Sequence, residues 1–209
     1  MVHDNLLTAI ILTYNEEMHI ERCIYSLKDI ASKIIVIDSN SNDATVRLAE
    51  VSGAKVFKNP WRGHSNQFNW ALENVLIDTD WVLRIDADEY ISSKNKAEIL
   101  KQISTASKNI AGFYVKRRII FQGLPVLHGG VGDLPVLRVF RYGRGISESR
   151  LMDEHIVVDG LTENIDCLLI DENLRPLDWW ISKHNSYANL EAVEYLYLKY
   201  NLKKNISNN

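Results

Sequence analysis

Two kinds of hydrophobic pattern alternate along the first half of the chain. Short, mostly apolar runs, typical of strands buried on both faces, are followed by stretches in which apolar residues recur every three or four positions, as in amphipathic helices. The predicted strands are 7–12, 34–37, 54–57 and 81–85, and the predicted helices are 20–27, 44–51 and 68–76. This alternation predicts an α/β fold with right-handed crossovers, in which helices flank a mainly parallel central sheet.

The second half of the chain has a less regular pattern. Residues 112–115 and 138–140 are predicted strands separated by a loop rich in glycine and proline, and 156–158 is a further apolar stretch. The last predicted helix follows His184, because Asn185 is a residue type that commonly caps the first turn of a helix. We expect one domain, and no second domain joined by a linker.

Polar residues follow three of the predicted strands at the point where each strand ends. They are Thr13, Tyr14, Asn15 and Glu16 after the first strand, Asp38 after the second, and Asp86 and Asp88 after the fourth. Open parallel sheets bind ligands beyond the carboxyl ends of their strands. The sequence therefore predicts a ligand site where these three strand ends meet.

The two carboxylates after the fourth strand are suited to a divalent cation. Residues i and i+2 of an extended segment point to the same side, so Asp86 and Asp88 are expected to face one ligand together. Magnesium commonly takes one or two protein carboxylates and fills its other positions with water and phosphate oxygens. The alternative is an acidic loop after an edge strand, but the convergence of three polar strand ends favours a binding site.

Composition narrows the classes of function. The chain has 209 residues, of which 46% are hydrophobic, and a formal net charge of −3, which fits one compact domain. Nucleic-acid binding is not expected, because the charge is near balance and forms no basic stripe. Cys23 and Cys167 lie far apart without metal-ligand spacing, so a reduced compartment is the simpler expectation and a disulfide the alternative. Neither a signal peptide nor a membrane-spanning run is expected.

The strand-end residues carry a family resemblance. Three motifs occur in order: Leu-Thr-Tyr-Asn-Glu at 12–16, Val-Ile-Asp-Ser-Asn-Ser-Asn-Asp-Ala-Thr at 36–45, and Asp-Ala-Asp-Glu at 86–89. Together they resemble the family 2 inverting glycosyltransferases, and more closely the bacterial enzymes that extend lipopolysaccharide core or other surface glycans. The resemblance covers about residues 7–200.

The resemblance implies a fold, a donor and a division of the chain. It implies a GT-A fold, which is a Rossmann-like nucleotide-binding architecture, and a nucleotide-diphosphate sugar as donor. Residues 1–209 would form a single domain, with about 1–115 as the nucleotide-sugar-binding half. About 116–209 would be the acceptor-side half, ending in the last helix.

Site roles follow from the resemblance residue by residue. Thr13 and Tyr14 would lie against the nucleobase, with Tyr14 stacking on it. Asp38 would accept a hydrogen bond from the base imide. Asp86 would contact the donor ribose or the metal, and Asp88 would bind Mg²⁺ or Mn²⁺ on the diphosphate.

Glu16 and Gln67 complete the nucleotide-binding candidates. The chain also departs from the family pattern. Leu12 stands where the family often has proline, Ser39 where it often has a second acid, and Gln67 and Asn69 occupy the stretch that usually carries a basic residue. These departures leave both UDP- and GDP-linked donors open.

Inverting transfer also needs a base that takes the proton of the acceptor hydroxyl. Glu154 is the first candidate and Asp153 the second, because the resembling enzymes have an acid in this region, before a strand and a glycine that Gly160 matches. Glu154 as a surface acid is the alternative. A two-carboxylate hydrolase would also use such acids, but it does not explain the nucleotide-type strand ends.

Several later residues have both a functional and a structural interpretation. His184 is a candidate ligand of the metal or diphosphate, or else a structural or surface histidine. Trp179 and Trp180 are interpreted as anchors of the last helix, with a sugar platform as the alternative. The densest basic set would meet a phosphorylated acceptor or anionic lipid, or form a solvated face, which we favour; it comprises Arg117, Arg118, Arg138, Arg141, Arg144 and Arg150.

Three functions remain to be distinguished. The first is a metal-dependent glycosyltransferase acting on a glycan or glycolipid acceptor, located in the cytoplasm with peripheral contact at the inner face of the cytoplasmic membrane as an option. The second is a non-catalytic nucleotide-sugar-binding protein of the same fold, which would not need Glu154 beside Asp86 and Asp88. A nucleotidyltransferase is a third, but it would usually carry a glycine- and basic-rich loop where this chain has Thr13 to Glu17.

Overall fold

The computed structural model describes residues 6–150, 154–200 and 202. The strands are β1 (Leu7–Thr13), β2 (Lys33–Asp38), β3 (Lys55–Lys58), β4 (Trp81–Asp86), β5 (Glu89–Ile91), β6 (Ile110–Phe121), β7 (Leu124–Pro125), β8 (Leu134–Arg141), β9 (Gly145–Ser147), β10 (Ile156–Val158) and β11 (Leu161–Glu172). The helices are α1 (Ile20–Leu27), α2 (Thr45–Val51), α3 (His64–Asn74), α4 (Lys96–Thr105) and α5 (Leu177–Tyr200), with a 3₁₀ turn at Ser93–Asn95.

One central sheet runs through the described residues in the order β3-β2-β1-β4-β8-β6-β11-β5, with β7 beside β6. The strands β3, β2, β1 and β4 are parallel to one another. The second half adds antiparallel pairs at β4–β8, β8–β6 and β11–β5, and a parallel pair at β6–β11. The predicted α/β fold, with a mainly parallel central sheet flanked by helices, is confirmed.

The register of the parallel strands brings the predicted polar ends to one edge. Thr13 pairs with Asp38 on one side of β1, and Leu12 pairs with Asp86 on the other. Neighbouring strands lie about 4.8 Å apart, so the backbones of Asp38 and Asp86 flank the end of β1 at a separation of about 10 Å. That span suits an extended ligand lying across the end of β1.

The core lies on both faces of this sheet because successive β1 residues point to opposite sides. Ala9 and Ile11 belong to the hydrophobic cluster covered by α1, α2 and α4, and Ile10 and Leu12 to the cluster covered by α3. The residues that α1 buries follow the predicted helical spacing and are Ile20, Cys23, Ile24 and Leu27. Parallel strands covered on both faces explain why the sequence has mostly apolar runs there.

Two predicted helices had wrong bounds, and the third helix begins at His64 where residue 68 was predicted. The third helix ends at Asn74, because Val75 adopts an extended backbone conformation (φ −107°, ψ 136°) that stops it. The last helix begins at Leu177 and contains both His184 and Asn185 in its interior. The Pro176 carbonyl accepts the Trp180 N–H at 3.1 Å, so the helix starts directly after a proline, which its fixed φ favours at a helix start.

The structure contains elements that the sequence pattern did not reveal, namely β5, β7, β9, β11, α4 and the 3₁₀ turn. In the part of the chain that it describes, no helix has both the length and the apolar character needed to cross a bilayer.

Candidate functional site

The loops after β1 and β2 are joined by hydrogen bonds. Asn15 N donates to Ser41 Oγ at 2.8 Å, and Asn42 N donates to Asn15 Oδ1 at 2.9 Å. Glu16 N donates to Thr45 Oγ1 at 2.7 Å, which ties the first loop to the start of α2. Asn15 adopts the left-handed conformation (φ 56°), which asparagine tolerates better than most residues. The two loops therefore present one rigid rim at this edge of the sheet.

Asp38 anchors the inner side of that rim. Its carboxylate is fully buried and accepts hydrogen bonds from Thr13 Oγ1 (3.1 Å), Ser41 N (2.9 Å) and Ser41 Oγ (2.5 Å). These bonds fix the carboxylate against the end of β1 and leave one lone-pair position on Oδ2 for a further donor.

Tyr14 and Gln67 lie in contrasting environments beside Asp38. The Tyr14 side chain is 57% exposed, so its ring offers a free face for stacking. Gln67 is fully buried, and its amide bonds only to protein groups among the described residues: its Nε2 donates to Ser39 Oγ (2.9 Å) and Asn59 O (3.0 Å), and its Oε1 accepts from Asn59 Nδ2 (2.7 Å). This arrangement supports the loop after β2, and a direct nucleotide contact by Gln67 stays a prediction.

Asp86 belongs to a buried charge cluster that includes a residue from β8. Arg138 Nη2 lies 2.5 Å from Glu89 Oε1 and 3.2 Å from Asp86 Oδ2, and Glu89 Oε2 accepts the Asp86 N–H at 2.9 Å. Burial alone would raise the pKa of Asp86, but the guanidinium groups of Arg138 and Arg84 outweigh burial and hold that pKa well below its ordinary value. Burial, reinforced by the Asp86 charge and opposed by Arg138, raises the pKa of Glu89 to about 8. Asp86 is thus kept ionised at the strand end.

Asp88 is positioned by residues at the end of β11, just after it and on α1. Its Oδ2 accepts a hydrogen bond from Asn173 Nδ2 at 3.0 Å. Its main-chain carbonyl accepts from Arg22 Nη2 (3.1 Å) and Glu172 N (3.2 Å), and Arg22 also pairs with the Glu172 carboxylate at 2.6 Å. Hydrogen bonds to both the main chain and the side chain of Asp88 therefore fix the conformation of the segment after β4.

The chemistry of this pair fits a divalent cation that also binds phosphate. Asp86 Oδ1 is buried without a hydrogen-bond partner within the described residues and lies 3.8 Å from Arg84 Nη2, so it has an unused lone pair for a ligand. Those residues contain no group of three or more His, Cys, Asp or Glu side chains able to hold a metal alone. Two carboxylates fit Mg²⁺ or Mn²⁺ only when phosphate and water complete the coordination shell.

Glu154 lies just before β10 and contacts an arginine of β4. Its side chain is partly exposed, and its main-chain carbonyl accepts from Arg84 Nη1 at 3.2 Å. Burial lowers the pKa of His64, against the opposing charges of Asp86 and Glu154, so both carboxylates act on this one imidazole. The Arg84 contact brings the Glu154 main chain to β4, close in sequence to Asp86, although 68 residues separate Glu154 from Asp86. The second candidate base, Asp153, lies outside the described residues.

His184 makes its contacts on its own helix. Its Nδ1 lies 2.9 Å from the Trp180 carbonyl, and its ring stacks on the Trp180 ring at a centroid distance of 3.6 Å. Trp180 also packs against Phe121 of β6 at 4.9 Å, in keeping with an anchoring role. Metal ligation by His184 stays a prediction.

The predicted basic set is spread over separate structural contacts. Its members pair with protein groups as follows: Arg117 with Asp171 (4.0 Å), Arg118 with Asp133 (2.6 Å), Arg138 with Glu89 (2.5 Å), Arg141 with Ile110 O (2.8 Å), Arg144 with Lys108 O (3.0 Å) and Arg150 with Glu148 (3.7 Å). This distribution favours individual structural roles over one shared anion-binding patch.

Sequence reasoning missed several residues that shape the site. His19 is fully buried, with Nδ1 2.6 Å from Glu16 Oε2 and Nε2 accepting the Leu174 N–H at 2.9 Å. It therefore connects the loop after β1 to the segment before α5. Lys183 of α5 is a second residue that was missed. Burial alone would lower the pKa of Lys183, but Tyr187 and the carboxylates of Asp88 and Glu16 raise that pKa.

The acidic ends of β2 and β4 beside a parallel half-sheet are the architecture of the GT-A class of protein. Residues 8–142 match the model of glycosyl transferase family 2, and the chain belongs to that family. Glucosyl-3-phosphoglycerate synthase from Mycobacterium tuberculosis, in a complex described as containing Mn²⁺, UDP and glucosyl-3-phosphoglycerate, aligns with a TM-score of 0.51. The alignment covers 84% of this chain and 75% of that one at 18% identity, so it shows the shared fold alone.

Two relatives extend the comparison at the level of sequence. LpsC, a lipopolysaccharide core biosynthesis glycosyltransferase of Rhizobium meliloti, is 35% identical over 196 residues, which cover 89% of this chain and 70% of LpsC. An uncharacterized glycosyltransferase of Rickettsia bellii is 46% identical over 93 residues, which are 44% of this chain and 31% of that protein. The matched region therefore spans only part of each relative.

The buried charge cluster gives a prediction about stability. We expect Arg138→Met to lower the free energy of unfolding by about 3–5 kcal/mol, because the ionised, partly buried Asp86 would lose its nearest cation and the buried Glu89 would lose a hydrogen-bond donor. Urea unfolding at neutral pH measures the change. Arg118→Met is the matched control, since its pair with Asp133 is about one-third exposed on each side and is expected to contribute about 1 kcal/mol or less. Equal effects of the two substitutions would contradict the interpretation.

Proposed function

We propose that this protein transfers a sugar from a nucleotide-diphosphate donor, UDP- or GDP-linked, to a hydroxyl group of a cell-surface glycan or lipopolysaccharide acceptor. The single observation that supports the proposal is that Asp38 and Asp86 end the strands on either side of β1, with the Glu154 main chain bonded to Arg84 of the same strand as Asp86. Asp38 suits a nucleobase, Asp86 with Asp88 suits a diphosphate with its cation, and Glu154 suits an acceptor hydroxyl.

The donor would lie across the end of β1. Tyr14 stacks on the base with its exposed ring face, and the remaining lone pair of Asp38 accepts a base N–H. When bound between Asp86, Asp88 and the diphosphate, Mg²⁺ or Mn²⁺ would neutralise charge on the departing nucleoside diphosphate. Arg138 keeps Asp86 ionised for this role, and Asn173 orients the Asp88 carboxylate.

Transfer would be a single displacement that inverts the anomeric carbon. Glu154 accepts the proton of the acceptor hydroxyl while the hydroxyl oxygen forms the bond to the sugar. The bond from the sugar to the diphosphate breaks in the same step, and the nucleoside diphosphate leaves. Arg84 holds the Glu154 main chain, so the side chain is free to face the acceptor. Asp153 is the alternative base.

The relationship to LpsC supports a surface-glycan acceptor for this chain, because LpsC is described as a lipopolysaccharide core enzyme. A cytoplasmic location, at the inner face of the membrane where such acceptors are built, belongs to the same proposal.

A panel of nucleotide sugars tests the proposed function. The purified chain is incubated with UDP- and GDP-linked sugars and Mg²⁺ or Mn²⁺, and the nucleoside diphosphate released is measured with and without bacterial lipopolysaccharide core acceptors. We expect metal-dependent release with at least one donor, accelerated by acceptor. Nucleotide binding without release under any of these conditions would favour the non-catalytic alternative.

The base-binding assignment gives a separate prediction. Tyr14→Ala is expected to weaken binding of the preferred nucleoside diphosphate by about 1–3 kcal/mol, through loss of stacking. Asp38→Asn is expected to weaken it by about 1–3 kcal/mol, because the replacement loses the charged acceptor. Calorimetric titration with UDP and GDP measures both.

Tyr25→Ala is the control, because Tyr25 is 73% exposed on α1 and its ring packs beside Lys28 (5.8 Å). Unchanged affinities for Tyr14→Ala and Asp38→Asn would place the base elsewhere.

A further inference from the structure

A row of alternating cationic and aromatic side chains begins just before α5. Its members are spaced four residues apart, so they lie along one face of the helix, and they are Arg175, Trp179, Lys183 and Tyr187. The Arg175 guanidinium carbon lies 4.9 Å from the Trp179 ring centroid and Lys183 Nζ lies 4.7 Å from it. Lys183 Nζ also lies 5.6 Å from the Tyr187 ring centroid. One indole thus holds two cations in place.

The chain leading into this row crosses the edge of the sheet where the donor would lie. Three consecutive residues bond to the loops there: Asn173 Nδ2 to Asp88 Oδ2 (3.0 Å), Leu174 N to His19 Nε2 (2.9 Å), and Arg175 Nη2 to the Asn15 carbonyl. These partners lie in the loop after β1 and in the segment after β4. Residues 173–175 therefore fix the start of α5 over the gap between the loop after β1 and Asp88.

Among the described residues, Arg175 and Lys183 form no direct ion pair with a carboxylate of the protein. Within the described residues, neither Arg175 nor Lys183 has a carboxylate oxygen within 4.0 Å, although the charges of Asp88 and Glu16 act on Lys183. Arg175 Nε is buried without a hydrogen-bond partner in the same part of the chain. A partly buried, oriented pair of cations with an unused N–H is suited to an anion that carries several oxygens.

We propose that Arg175 and Lys183, both packed on Trp179, bind the diphosphate of the donor. The proposal rests on the proposed function, and it adds protein cations to the charge neutralisation of the leaving group. Arg175 would donate N–H groups to phosphate oxygens in a fixed plane, and Lys183 would act as a compact charge. Their attachment to Trp179 orients them before the nucleotide arrives, which reduces the entropy lost on binding.

The test compares a nucleoside diphosphate with its nucleoside. Lys183→Met and Arg175→Met keep most of the aliphatic side chain but remove the charge. We expect each to weaken binding of UDP or GDP, whichever the wild-type chain prefers, by about tenfold to a hundredfold, as for loss of a charge-assisted hydrogen bond. Binding of uridine or guanosine should stay unchanged, and Lys183→Arg should restore most of the affinity for the diphosphate.

Lys199→Met is the matched control, because Lys199 lies on the same helix with Nζ 5.6 Å from the Tyr195 ring centroid and 5.5 Å from that of Tyr200. It should not change affinity for either ligand.

The outcomes separate this inference from the function on which it rests. Failure of the wild-type chain to bind UDP and GDP would overturn both. Normal UDP or GDP affinity in Lys183→Met and Arg175→Met, with wild-type binding intact, would overturn the diphosphate assignment alone. An equal loss for nucleoside and nucleoside diphosphate would also overturn it, because that result means the pair only supports the fold.

Discussion

Asp88→Asn is expected to reduce sugar transfer by about 10³-fold or more while the protein stays folded. The reduction follows if Asp88 holds the cation on the diphosphate, because a metal contributes several kcal/mol to stabilising a departing charge. The fold should tolerate the change, since the replacement can still accept the Asn173 N–H through its side-chain oxygen. Release of nucleoside diphosphate at saturating donor, with circular dichroism as the folding check, measures both effects.

The metal dependence of the wild-type chain should parallel this result. Chelation with EDTA is expected to abolish release, and excess Mg²⁺ or Mn²⁺ to restore it. Asp166→Asn is the control, because the Asp166 side chain is 84% exposed and pairs with Lys116 at 3.4 Å. Turnover by Asp88→Asn at the wild-type rate, or wild-type turnover that persists in EDTA, would show that Asp88 holds no essential cation.

The parallel half of the fold was predictable because each strand there is covered on both faces. Such strands read as apolar runs, and the helices between them have a clear apolar face, as α1 shows with its buried Ile20, Cys23 and Ile24. β11 escaped prediction because its first residues are exposed and only its middle alternates, with Ile165, Cys167 and Leu169 buried. α4 escaped because it buries only Ile99 and Ile103.

The positions of the candidate site residues were predictable, but their partners were not. Strand ends in a parallel sheet converge by topology, which brought Asp38 and Asp86 to one edge. Arg138 and Asn173 come from the antiparallel half, where pairing depends on contacts distant in sequence. One signal was available for Arg138, since a charged residue within an otherwise apolar strand predicts a buried ion pair.

The cationic row before and within α5 also carried a signal in the sequence. Arg175, Trp179, Lys183 and Tyr187 repeat at helical spacing, but the assumed helix start at Asn185 hid the repeat. A helix boundary set eight residues too late therefore removed a candidate diphosphate contact from consideration.

Glu154→Gln is expected to slow transfer to the acceptor by about 10²- to 10⁴-fold, because the replacement keeps the shape of the side chain but cannot take a proton. The Arg84 contact uses the Glu154 main-chain carbonyl and should survive. Donor affinity should hardly change, since the nucleotide candidates lie on the loops after β1 and β2. Initial rates with donor and acceptor both saturating, together with calorimetric donor binding, separate the two effects.

Asp153→Asn decides between the neighbouring acids. If Glu154 is the base, Asp153→Asn should retain most of the turnover, since a neighbouring carboxylate contributes only a long-range charge. A large loss in Asp153→Asn with near-normal turnover in Glu154→Gln would make Asp153 the base.

Slow release of nucleotide in the absence of acceptor gives a further distinction, because hydrolysis by water needs the donor site but does not need a base placed for the acceptor hydroxyl. Glu154→Gln should therefore reduce transfer much more than it reduces acceptor-independent release, whereas Asp88→Asn should reduce both.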